Sequence, residues 1–301
     1  MIREDHNMKI QFLNGGLANQ VFQYLFTRYY SLSHNGDIMY LDDSYFALNT
    51  VHNGYELERV FSLHPPMLSD CLDDDVWDFC LQNRLTGKSI PQIMNEIGIP
   101  FVMMAEFDNY KSFNPFNGEV ILLPSKEYLP EIQDYPKDTY YHGYWVHSGW
   151  FHRYEDIFLK ELAFPPLVSP KNRDIMEQIH TRHSLAVHIR RGDYVSLGWS
   201  YPADTCRQIV QDFISLYSCD WDLFVFSDDI GWCMANSNDL GFTAFHSVTY
   251  VEGNVNGNNY IDLQLMSQCK GMILSNSAFS YLAALLNPHK DCLFNPTPRP
   301  L

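Results

Sequence analysis

Between residues 184 and 286 the chain alternates strand-like and helix-like segments, which restricts this half to a parallel sheet with helical crossovers. Residues 184–189 read as a strand, 203–217 as a helix and 222–226 as an apolar strand. Helix 261–269, strand 272–274 and helix 277–286 follow. The first half opens in the same way. Residues 8–13 form a short strand, Asn14 to Gln20 a glycine-rich turn, and Val21, Phe22, Leu25 and Tyr29 mark one face of a helix. Residues 37–41 offer a second strand. Residues 50–138 read as loops and short helices, ahead of a strand at 139–145 and a helix at 151–162. Three prolines within residues 164–170 mark a linker. At 301 residues the chain is long for one core and comfortable for two. The expectation is an α/β protein with domains at 1–163 and 164–301.

Composition narrows the partners. With 46% hydrophobic and 19% charged residues the chain is globular. A net charge of -16 excludes sequence-independent binding to nucleic acid or anionic lipid, which needs a positive surface. It permits an anionic substrate held by a few local arginines. The 15% aromatic share suits sugar stacking and suits a large core equally well. Seven scattered cysteines without a CxxC pair read as reduced thiols. The first residues carry no apolar signal segment, and no run is long enough to span a bilayer. The expectation is a cytoplasmic protein, at most peripheral to an inner membrane and not integral to it.

Four segments carry chemistry. Val187 to Tyr194 (VHIRRGDY) stands at the carboxyl end of a strand, where open α/β sheets place ligand crevices. An arginine there offers a rigid fork of donors to phosphate oxygens. Alternation puts His188 and Arg190 on one face, so Arg190 is assigned to a diphosphate and Arg191 to a structural ion pair with Asp193 or a neighbouring carboxylate. A surface salt-bridge patch fits this segment alone equally well. The turn Asn14 to Gln20, with Gly15 and Gly16, permits close backbone approach and opens a helix whose N-terminus favours anions. It is not a dinucleotide fingerprint, and a plain strand-to-helix turn also explains it. In the stretch 262–280, Asp262 suits a base or ribose, and Ser275-Asn-Ser277 suits either phosphate or an ordinary N-cap. Asp228 and Asp229 end a strand and suit a ribose or a helix cap.

These segments together resemble the α-1,2-fucosyltransferase family. The resemblance rests on Gly15 to Tyr24 (GGLANQVFQY), HIRRGDY at 188–194, FSDD at 226–229 and DLQLMSQCKGMILSNSAFS at 262–280, in that order. Gly143-Tyr-Trp145 and Trp150-Phe151 match its central segment. The chain departs from the family at Ala18, Gly271 and Ala278. The resemblance implies a GT-B fold, two Rossmann-like domains facing across a cleft. It implies an inverting transfer of L-fucose from GDP-β-L-fucose to the 2-hydroxyl of a terminal galactose, on an oligosaccharide or lipid-linked glycan. The C-terminal domain would bind the donor and the N-terminal domain the acceptor. His188 and Asp262 would meet the guanosine end, and Arg190 the β-phosphate with help from Ser277. Asn19 would reach the phosphate–fucose region. Gly15, Gly16, Asp228 and Asn276 complete the expected donor site; Asp42 and Trp145 are the acceptor candidates. No cofactor and no metal are expected, because arginine supplies the positive charge and neither Asp73-Asp-Asp75 nor Asp220-Trp-Asp222 suits a crevice. A catalytically silent sugar- or nucleotide-binding protein and a transferase for another nucleotide sugar remain as alternatives.

Overall fold

The computed structural model describes residues 7–51, 53–110, 116–218, 220–289 and 292–297. The chain divides into two compact units, Met1–Ala163 and Phe164–Leu301. Each is built on a five-stranded parallel sheet.

The first unit holds β1 (Lys9–Phe12), β2 (Met39–Asp42), β3 (Val102–Glu106), β4 (Val120–Leu123) and β5 (Thr139–His142), in the order β2-β1-β5-β3-β4. Residues 50–138 are more than loops and short helices: they supply β3 and β4. The Val102–Glu106 strand is buried at every position and so lacks the alternation that marks a half-exposed strand. The Val120–Leu123 strand is a short edge strand. Helix Leu17–Ser33 is buried on most sides by apolar and aromatic residues, and its buried Gln20, Gln23 and Thr27 all find partners for their polar atoms. The expected helix at 151–162 is two pieces, Gly149–His152 and Glu155–Glu161.

The second unit holds β6 (Ser184–Ile189), β7 (Asp222–Ser227), β8 (Ser247–Tyr250), β9 (Gly271–Ile273) and β10 (Leu293–Phe294), in the order β10-β9-β6-β7-β8. The edge strands β8 and β10 are short and half-buried, which explains why neither stands out in the sequence. All six residues of β6 are buried. Helix Ala203–Tyr217 turns Cys206, Val210 and Phe213, spaced i, i+4, i+7, into the core with Leu185, Val187, Leu223 and Val225. Gly271 is explained here. A Cβ at this position would lie 3.0 Å from the Trp221 ring and 3.1 Å from Leu185, so the indole occupies the space a side chain would need.

In the second sheet the winding reverses between β6 and β9, and in the first between β1 and β5. Ligand crevices of open α/β sheets form at the carboxyl ends of strands flanking such a reversal. Among the described residues no helix is long and apolar enough to cross a membrane.

Candidate active site

The register of the second sheet assembles the site. β6 pairs with β7 so that Ile189 faces Ser227, and one step further Arg190 meets Asp228. Arg190 Nη1 lies 2.7 Å from Asp228 Oδ2, and Nη2 donates to Asp193 Oδ1 at 2.7 Å. Its guanidinium sits 5.2 Å from the centre of the Tyr194 ring. Two carboxylates and a ring thus fix an arginine at the end of the central strand. Asp228 also accepts from the Arg191 backbone N–H at 2.8 Å through its other oxygen. A Cβ on Gly192 would lie 2.5 Å from Asp228 Oδ2, so glycine is what lets the carboxylate stand there.

Arg191 takes the scaffold role expected of it, and its partner is the neighbouring carboxylate rather than Asp193. Its Nε donates to Asp229 Oδ2 at 3.1 Å, and its guanidinium stacks 3.6 Å from the Trp232 ring centre. Asp193 therefore serves Arg190 rather than Arg191. Their i, i+3 spacing in the turn of helix Gly192–Ser196 makes them neighbours, whereas strand alternation no longer holds past Ile189. Asp229 also caps helix Ile230–Ala235 through the Trp232 N–H.

His188 is buried, and its Nδ1 lies 2.8 Å from Ser275 Oγ, across the reversal between β6 and β9. Burial, reinforced by the Arg190 charge, lowers its pKa to about 3, so it is a neutral imidazole at physiological pH. Ser277 is the N-cap of helix Ala278–Leu286: its Oγ accepts from the Phe279 N–H at 3.2 Å. The hydroxyl thus follows the ordinary N-cap reading as an acceptor, and its O–H remains a donor that a phosphate oxygen could use. Asn276 Nδ2 donates to the Trp199 carbonyl at 2.8 Å and ties the loop after helix Gly192–Ser196 to the turn after β9. Asp262, in helix Tyr260–Met266, accepts from Asn254 Nδ2 at 2.7 Å through Oδ1. Burial raises its carboxyl pKa to about 7, opposed by the Asn254 hydrogen bond.

In the first unit the glycine-rich turn follows β1. Gly15 has φ +80°, and a Cβ there would lie 2.8 Å from Asn19 Nδ2, so the glycine admits both the turn and the Asn19 side chain folded over it. Around the ideal Cβ position of Gly16 nothing lies within 4 Å. The helix N-terminus is not an empty anion site. The buried Glu56 carboxylate accepts from the Leu17 N–H at 3.1 Å, and Gln20 bridges the Gly15 carbonyl and the Glu56 backbone N–H at 2.9 and 2.8 Å. Sequence reasoning missed Glu56, because nothing local marks a carboxylate 39 positions away as a cap.

Both acceptor candidates are corrected. Asp42 is fully buried, accepting from Tyr140 Oη at 2.6 Å through one oxygen and from the Ser44 N–H at 3.0 Å through the other. It braces the core and offers no oxygen to a sugar. Trp145 is 2% exposed, stacks on Phe26 at 4.5 Å and donates from Nε1 to Gln11 Oε1 at 2.6 Å. Its left-handed φ of +54° is held by Glu106, which accepts from the Tyr144, Trp145 and Lys126 backbone N–H groups at 2.7, 3.2 and 2.9 Å. A Cβ on Gly143 would come within 2.9 Å of Glu106. Glu106 was also missed, for the same reason as Glu56.

Of the two DxD stretches, Asp74 and Asp75 lie in the first turn of helix Asp74–Leu85. Asp222 begins β7, at the sheet end opposite Arg190, and accepts from Ser247 Oγ. Among the described residues no group of three or more His, Cys, Asp or Glu side chains is placed to hold a metal ion. Cysteines 71, 80, 206, 233, 269 and 292 are free thiols, and Cys219 lies outside the described residues.

We expect Gly192→Ala to cost about 10- to 100-fold in kcat, because the methyl must displace Asp228 and with it Arg190. The helix itself should tolerate alanine, so an unchanged kcat with a normal thermal transition would refute this coupling.

Two doubly wound α/β units are the building blocks of the GT-B fold, and the second holds a fixed arginine and a neutral histidine at its reversal point. Residues 125–297 match glycosyl transferase family 11, and the chain belongs to that family. Among curated proteins, an alpha-1,2-colitosyltransferase of Escherichia coli is 27% identical over 95% of this chain and 90% of its own length. The O-antigen biosynthesis glycosyltransferase WbnK of Escherichia coli is 26% identical over 93% of this chain and 90% of its own. Among solved structures, a variant of Arabidopsis thaliana FUT1 in complex with GDP shares the fold with a TM-score of 0.50. It is 13% identical, covering 95% of this chain and 70% of that one.

Proposed function

We propose that this glycosyltransferase moves L-fucose from GDP-β-L-fucose to the 2-hydroxyl of a terminal galactose, inverting the anomeric centre. The observation that carries the reading is the Arg190 fork, held between Asp228 and Asp193 at the carboxyl end of β6. In a single displacement the acceptor hydroxyl oxygen attacks C1 as the C1–O bond to the β-phosphate breaks, and its proton leaves to solvent or to the departing phosphate. Negative charge then grows on the departing phosphate oxygen. Arg190 meets that charge already oriented, so little reorganisation is needed at the transition state. Asp228 retains one guanidinium nitrogen while the exposed Asp193 yields the other to phosphate. His188, kept neutral, contributes hydrogen bonding without competing for the charge. Asp262 takes the guanine edge. The reaction needs no metal in this reading, since the developing charge is met by arginine. The O-antigen biosynthesis relative favours a surface glycan as the acceptor setting, and in this reading the galactose terminates an oligosaccharide or lipid-linked glycan.

A second reading changes only the donor sugar. The colitosyltransferase relative favours GDP-colitose, in which the 3-hydroxyl of fucose is missing. Incubation with lactose and either GDP-fucose or GDP-colitose, in EDTA, tests both. An α-1,2-fucosylated product is expected. Transfer from GDP-colitose alone would replace the fucosyl reading, and activity restored only by added Mn²⁺ would end the metal-free one. Binding of GDP without any turnover would leave a silent nucleotide-binding protein.

The Asp262 carboxyl makes donor binding depend on pH. Its folded pKa of about 7 exceeds the ordinary 3.8, so it stabilises the fold at low pH and that contribution is lost as pH rises through 7. Guanine needs the ionised form as a double acceptor. GDP affinity should therefore rise about tenfold from pH 6 to pH 8. Titration calorimetry at several pH values measures this, and in Asp262→Asn the slope should vanish.

A further inference from the structure

One buried polar network has no part in the scheme so far. Asn172, in helix Pro170–Thr181, and Asn254, four residues beyond β8, are both at most 9% exposed. Asn172 Nδ2 donates to Asn254 Oδ1 at 2.9 Å, and Asn254 Nδ2 donates to Asn172 Oδ1 at 3.4 Å and to Asp262 Oδ1 at 2.7 Å. Both protons of the Asn254 amide are thereby committed and its oxygen is engaged. The amide has one orientation, because the flipped one would set its oxygen against the carboxylate.

Asp262 itself is unlike a structural carboxylate. Asp42, Glu56 and Glu106 each offer both oxygens to donors within the first unit. Asp262 offers only Oδ1: among the described residues neither a hydrogen bond to Oδ2 nor a salt bridge to this carboxylate is present. Enclosure without a cation works against the ionised form and costs stability at neutral pH. A carboxylate that burdens the fold, with one oxygen fixed and the other open, is suited to receive a ligand.

We propose that Asn254, held in turn by Asn172, is a positioning residue that aims Asp262 at guanine and so sets the nucleobase specificity of the donor site. This rests on the GDP-sugar reading above. Guanine presents N1–H and N2–H side by side, two parallel donors for one carboxylate. Hypoxanthine lacks the N2 donor. Uracil flanks its single N3–H with two carbonyl oxygens, which a carboxylate repels. Discrimination of this kind depends on the carboxylate plane, and that plane is what Asn254 controls.

The test compares GDP, IDP and UDP binding to the full chain by titration calorimetry, together with donor kinetics. Wild type should favour GDP over IDP by about tenfold or more, the loss expected for one hydrogen bond to a charged group. In Asn254→Ala that ratio should fall to about threefold or less. Donor KM should rise while kcat at saturating donor stays close to wild type, because Arg190 and the reacting atoms are untouched. A general structural weakening would lower affinity for GDP and IDP alike and leave the ratio in place. Should Asn254→Ala not fold, Asn172→Ala frees the amide while keeping its bond to Asp262, and a smaller narrowing of the ratio is expected. An unchanged GDP/IDP ratio in whichever variant folds, with wild type favouring GDP, overturns the inference alone. Wild type binding UDP as tightly as GDP overturns the donor reading and this inference with it.

Discussion

Arg190→Ala is expected to lower kcat by about 100-fold or more at saturating donor, with the fold retained. The side chain is partly exposed and belongs to no core cluster, so its removal opens no cavity. Asp228 would still hold the Arg191 backbone N–H, and Asp193 would turn to solvent. What is lost is a cation already oriented where the phosphate oxygen gains charge. Arg190→Lys separates charge from geometry. Lysine restores the charge but cannot reach Asp228 and phosphate through a planar fork, so partial recovery of kcat is expected. Steady-state kinetics beside thermal denaturation reads both effects. Most of the wild-type kcat persisting in Arg190→Ala would remove the arginine from the mechanism.

Trp145→Ala carries the largest expected effect on stability, a loss of about 3–5 kcal/mol. The indole is almost fully enclosed, stacked on Phe26 and edge-on to Tyr141, and its Nε1–H satisfies the buried Gln11. Truncation leaves a cavity and an unpaired amide oxygen. It also leaves alanine at φ +54°, a conformation the Glu106 carboxylate was holding for tryptophan. Urea denaturation should show a lower midpoint with little change in slope. A variant as stable as wild type, with only acceptor KM raised, would return Trp145 to the acceptor site.

Much of the second unit was legible from its residues. The strand at Ser184–Ile189 and the helix at Ala203–Tyr217 fall where periodicity puts them, since the hydrophobic pattern there is local and strong. The β3 strand was not legible, because its Met103, Met104 and Ala105 prefer helix, whereas β6 carries a leucine, a valine and an isoleucine; β4, β8 and β10 are too short to leave a pattern. The pairing of Arg191 with Asp229 lies 38 residues apart in sequence and depends on β6 and β7 lying side by side.

By itself the sequence determined the α/β class, the family and the segments that carry chemistry, because residue type and short-range spacing encode these. It placed VHIRRGDY at a strand end and assigned one arginine to the scaffold. Only the tertiary structure decided which carboxylate each arginine meets. It also decided that Asp42 and Trp145 face inward, and that Asn172 and Asn254 stand behind Asp262. Those outcomes turn on register and burial, which join residues far apart in the chain and leave no mark on their neighbours in sequence.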